Sequence, residues 1–110
     1  MTQKELSEIL HNTGCPVNEG VSSLKNEKVF PRIDYWEYLW QDVMASGEGF
    51  SEAVTWQISF YAKRPRDAKL LELRDTLRSL GYHPEISHEY NVEDRVWHSY
   101  FAIETDGESV

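Results

Sequence analysis

One cysteine, Cys15, stands in 110 residues. The chain can therefore form neither an internal disulfide nor a multi-cysteine metal cage. No apolar run approaches the roughly 18 residues that a spanning helix needs. The start, MTQKELSEIL, is polar and acidic where a secretory leader carries positive charge followed by an apolar block, so the chain is expected to stay in the cytoplasm. Basic residues are few, with 11 Lys and Arg against 19 Asp and Glu, a net charge of −8. Affinity for phosphate comes from Lys and Arg, and this balance counts against a general nucleic-acid binder.

The marks of chemistry are missing as well. SGEG, at 46–49, lacks the following lysine and the strand-to-helix setting of a phosphate loop. Gly14 and Pro16 give Cys15 neither a base nor a positive charge to activate its thiol. Carboxylates are plentiful, but no pair is marked by an apolar pocket that would split their proton affinities. His83 and His88 are five apart and fall on opposite faces of a strand. His88 and His98 could meet across a ladder, with no third metal ligand specified. No serine, histidine and acid can be ordered into a triad from spacing, and Ser46, Ser51 and Ser99 suit turn or strand positions. The expectation is no catalytic, metal or cofactor site.

What is present is a folded domain's complement of apolar residues, 40% of the chain, with fourteen aromatics. The length fits a single domain, 1–110, with an ordered core over 2–104. Thr2 and Glu5 form a capping-box pattern ahead of Leu6, Ile9 and Leu10, with Gly14 as the stop. CPVNEGVSSLKNEK, at 15–28, reads as an irregular connection. VFPRIDYWEYLWQDVM carries enough aromatic and β-branched residues to be a strand, with Ile33, Tyr35, Leu39 and Val43 on one face. A flexible hairpin loop over 44–53 follows. VTWQISFYA alternates, with Trp56, Ile58, Phe60 and Ala62 on one face. Pro65 ends that strand and Asp67 opens a helix carrying Leu70, Leu73, Leu77 and Leu80, closed by Gly81. YHPEISHEY and RVWHSYFAIET are two more strands joined by NVED, and 105–110 is a loose tail. The order predicts an α+β domain: a four-stranded, mostly antiparallel sheet with two helices packed on one face.

Two features are left over. Tyr35, Trp36, Tyr38 and Trp40 crowd four aromatics into six positions, more than one core face needs. They suit either an amphipathic outer face or a subunit interface, where Trp and Tyr concentrate energy, and the interface is favoured. Six of the eleven basic residues fall between Lys63 and Arg78. That stripe suits an acidic protein partner, including another copy. Arg64 and Arg66, flanking Pro65, are its candidate contact residues.

Read in order, TGCPVNEG, VFPRIDYWEY, TWQISFYAKRPRDAKLLELRDTL and LGYHPEISHEYNVEDRVWHSYFAIE resemble a family of phage and prophage tail completion and tail terminator proteins, similar in fold to the lambda tail terminator. The likeness spans roughly residues 2–104. It implies a structural protein without catalytic residues, assembling as a ring of six copies at the head-proximal end of the tail. Its partners would be itself and tail-tube or head-connector proteins, in the bacterial cytoplasm and then in the virion. Gly47, Glu48, Gly49, Phe50 and Glu52 would form a loop facing the lumen or a partner. A small ligand-binding or regulatory module with a ferredoxin-like sheet is the alternative, and an enzyme a more remote one.

Overall fold

The computed structural model describes residues 1–20, 26–44 and 50–106. Helix α1 runs from Gln3 to His11. Thr2 caps the helix by accepting the Glu5 amide at 3.2 Å, and its hydroxyl, rather than its backbone N–H as in a full capping box, donates to the Glu5 carboxylate at 3.2 Å. Leu6 and Leu10 are fully buried on its inner face. Helix α2, Ala68–Ser79, starts where Asp67 accepts the Lys69 amide at 2.8 Å. It ends where Gly81, at φ +89°, lets the Tyr82 amide return to the Leu77 carbonyl at 2.9 Å.

The domain is α+β, but its sheet has five strands rather than four, in the order β1-β2-β3-β5-β4. These are β1 (Val17–Glu19), β2 (Arg32–Met44), β3 (Phe50–Ala62), β4 (Ser87–Asn91) and β5 (Val96–Asp106). The added strand, β1, lies inside the expected connection 15–28 and pairs parallel to β2, with Val17 opposite Ile33. All other pairings are antiparallel.

Register explains which residues share the core. Ile33 faces Phe60, Tyr35 faces Ile58, and Trp56 faces Ile103. These side chains meet Leu6, Leu10, Leu70, Leu73 and Leu77 in one cluster, so both helices cover the same face of the sheet. Trp56 keeps its indole N–H satisfied inside the core by donating to Thr105 at 3.0 Å. Tyr35 packs beside it, ring centroids 5.1 Å apart.

Several boundaries differ from the expectation. Leu80 caps α2 and is 55% exposed, outside the core it was assigned to. Thr105 and Asp106 belong to β5, not to a loose tail, and the Asp106 amide donates to the Met1 carbonyl at 2.8 Å. Residues 82–86 are not strand. The expected loop 44–53 is shorter, because β2 reaches Met44 and β3 begins at Phe50. Phe50 and Glu52 are therefore strand residues, while Gly47, Glu48 and Gly49 lie outside the described residues.

The largest departure is a bulge in β2. Glu37 pairs with Trp56 and Leu39 with Thr55, so Tyr38 has no opposite number. One inserted residue turns every later side chain to the other face. Leu39 and Val43 thus leave the face of Ile33 and Tyr35, and are 46% and 44% exposed.

Candidate functional site

The four crowded aromatics are divided by the fold. Tyr35 is a core residue, 3% exposed, which removes it from the candidate interface. Trp36 is half-buried. Tyr38 and Trp40 are exposed, at 56% and 67%, beyond the part of β2 that β1 covers. Trp40 pairs with Val54, a core residue, and so lies on the helix-bearing face of the sheet. Its indole N–H donates to Glu37 at 3.0 Å. Farther along the same face, Asp42 is directly opposite Glu52. The outer part of the β2–β3 hairpin is thus an arm bearing an exposed indole among three carboxylates.

The basic stripe is also divided. Arg64 and Arg66 are both exposed in the β3–α2 turn, and Arg66 takes φ +54°, unusual for a side-chain-bearing residue. Arg66 joins Arg74 and Arg78 of α2 along a groove of about 240 Å³ beside Leu70, Leu71, Pro84, Ile86 and His88. Asp75 lies 3.1 Å from Arg74 and 4.0 Å from Arg78, leaving the groove positive. Lys63 instead lies over the Phe30 ring, 5.6 Å from its centroid, in a separate cleft that includes Arg32, Tyr61, Glu93 and Asp94. That cleft mixes charges of both signs around Phe30, Tyr61 and Val96.

A serine–histidine–acid relay does occur, on the face away from the helices. His98 bridges Ser59 Oγ, 2.8 Å from Nε2, and Glu89 Oε1, 3.0 Å from Nδ1. The sequence reading missed it, although the NVED turn would place Glu89 opposite His98 once the hairpin register is counted from Asn91 and Val96. The relay is closed to substrate. Ser59 has no exposed surface, and Tyr61 stacks on the His98 ring at 4.6 Å with planes 8° apart. The flanking β3 backbone is paired with β2 on one side and β5 on the other, so it has no row of amides to stabilise an oxyanion. The relay's work is to tie β3, β4 and β5 together. Burial pushes the Tyr61 phenol above its ordinary pKa, and the nearby Asp34 carboxylate acts the same way.

His88 and His98, which could have met across the ladder, do not pair. His88 is opposite Ser99, its Nδ1 2.7 Å from the hydroxyl, and the adjacent register positions put His98 on the other face. Among the described residues no three His, Cys, Asp or Glu side chains converge on a metal position, and no helix is long and apolar enough to cross a membrane.

Cys15 is buried, and that burial pushes its thiol above the ordinary pKa, against the lowering effect of a hydrogen bond with Thr13. At neutral pH it should react with a maleimide at least about tenfold more slowly than a free cysteine, because the thiolate is the nucleophile. Denaturant should abolish the difference. A native rate equal to that of the unfolded chain would show that the pocket around Cys15 is open. Comparison with protein-family models and with curated proteins finds no match to this chain.

Proposed function

We propose that this protein is a structural assembly subunit, built to contact further copies of itself and a larger partner. The observation that carries this reading is the β2–β3 arm, where Tyr38, Leu39, Trp40 and Val43, four large apolar residues within six positions, are all exposed to solvent. Exposed apolar side chains gathered on both faces at one end of a strand mark an interaction site, and the edge of β2 beyond Tyr35 has no strand partner among the described residues, so its backbone groups are available to a partner. The sequence likeness to phage tail completion and terminator proteins supplies the setting. The subunit would join a ring, six copies by that likeness, at the head-proximal end of a tail, contacting tube or connector proteins. The closed Ser59–His98–Glu89 relay supports a non-enzymatic role, since the group placed to act as nucleophile cannot be reached.

The test is charge reversal at the β3–α2 turn. Arg64→Glu with Arg66→Glu should leave the melting temperature nearly unchanged, because exposed charges contribute little to stability. Incorporation into rings or tails should be slowed and should lose salt sensitivity, because such charges act on encounter. Assembly at the wild-type rate at both low and moderate salt would reduce the turn to a solvated surface.

A further inference from the structure

The arm and the groove have matching chemistry. On the arm, the exposed indole of Trp40 donates to Glu37, and Asp42 and Glu52 follow it on the same face. In the groove, Arg66, Arg74 and Arg78 surround an apolar floor that includes Leu71, Pro84 and Ile86. Three carboxylates on the same face as one aromatic meet three guanidinium groups around one apolar pit. The cavity, about 240 Å³, is below the size of an ordinary ligand pocket and suits a side chain better than a cofactor.

Two local features have no account within one chain. Asp42 and Glu52 stand directly opposite each other on adjacent strands, an arrangement of like charges that destabilises a ladder. Arg66 is held at φ +54° in the turn before α2, with no ion-pair partner among the described residues. A guanidinium placed between the two carboxylates would relieve their repulsion and give Arg66 an ion-pair partner.

The two surfaces cannot meet within one molecule. The arm is the far end of β2 and β3, toward Met44 and Phe50. The groove lies beside β4, at the opposite edge of the sheet, where β4 pairs with the Val96–Tyr100 end of β5. That end of β5 pairs in turn with the Ala62 end of β3. Arm and groove are therefore at opposite edges and opposite ends. A head-to-tail contact, in which one surface of each copy meets a different surface of the next, needs this separation and generates a ring when the rotation closes.

The geometry points to a heterologous contact between copies of this chain, in which the Trp40 arm of one enters the Arg66–Arg74–Arg78 groove of the next. This rests on the assembly reading above and specifies its interface. Trp40 would stack among guanidinium groups and be desolvated as a central anchor.

The experiment is sedimentation of the full chain over a wide range of protein concentration and salt, with a charge-swap set. One variant carries Glu37→Lys, Asp42→Lys and Glu52→Lys. A second carries Arg66→Glu, Arg74→Glu and Arg78→Glu. Each alone opposes like charges and should lose self-association at least about tenfold relative to wild type. An equimolar mixture should regain it, in complexes containing equal numbers of the two, because each arm then meets a groove of opposite sign. Trp40→Ala, which removes only an exposed side chain, should weaken association by at least about tenfold with an unchanged melting temperature, and it stands as the test if a triple variant fails to fold. If wild type associates while Trp40→Ala or both folded triple variants associate equally well, this contact is wrong and the assembly reading stands. A wild type that remains monomeric at every concentration, alone and with tails, overturns both.

Discussion

Leu73→Ala should lower the stability of the domain by about 2–5 kcal/mol, the range for deleting a leucine side chain from a packed core. Leu73 is 1% exposed, in the middle of α2, and belongs to the same cluster as Ile58 and Phe60 of β3. The sheet's inner face is rigidly paired on both sides of β3, so the backbone cannot close over the space left behind. The cost should therefore include a cavity contribution beyond the lost transfer energy. Leu80→Ala, about two turns later, is the internal control. Leu80 is 55% exposed and should lose less than about 0.5 kcal/mol, as surface positions do. Equilibrium urea unfolding of both variants is the measurement. Equal losses at the two positions would mean that α2 does not present Leu73 to the sheet.

The contrast between these two leucines shows where sequence pattern stops being informative. Leu70, Leu73, Leu77 and Leu80 have indistinguishable spacing, and only the helix end at Ser79 separates the last from the others. The alternation of Trp56, Ile58, Phe60 and Ala62 was legible because β3 is central, with one face against helices along its length. β2 was half legible. Ile33 and Tyr35 follow the expected alternation, then the bulge after Glu37 reverses it, and nothing in IDYWEYLW marks which residue is inserted. The exposed arm depends on that reversal. With regular alternation after Glu37, Trp40 and Asp42 would both lie on the face away from Glu37. Strand β1 left still less trace, because three residues flanked by Pro16 and Gly20 carry no period that can be counted.

Asp34→Ala should cost about 3 kcal/mol, and its effect should concentrate at β1, the element least visible in the sequence. Asp34 is 5% exposed on β2 and accepts from the Asn18 amide group at 3.0 Å. Asn18 in turn accepts from Asn26 at 3.2 Å. Asp34 also pairs with Arg32, 3.5 Å away, whose guanidinium lies over the rings of Phe30 and Tyr61 at 4.9 and 4.3 Å. Deleting the carboxylate strands a largely buried cation beside an amide that has lost its acceptor, and breaking a buried pair on one side typically costs ~3–5 kcal/mol. The low end is expected here, because Arg32 keeps both rings and its bond to the Glu27 carbonyl at 2.8 Å. Asp34→Asn, which preserves an acceptor for Asn18, should lose roughly half as much. Parallel pairing of so short a strand leaves little else to hold it, so the Gly20 amide, bonded to the Tyr35 carbonyl at 2.7 Å, and the Ile33 amide, bonded to the Pro16 carbonyl at 2.9 Å, should lose hydrogen-exchange protection before the rest of the sheet. Uniform loss across all five strands would mean that Asp34 stabilises the whole domain and that β1 is held by its backbone bonds alone. A loss below about 0.5 kcal/mol, the scale of surface substitutions, would show that the Asn18–Asp34–Arg32 network contributes no net stability.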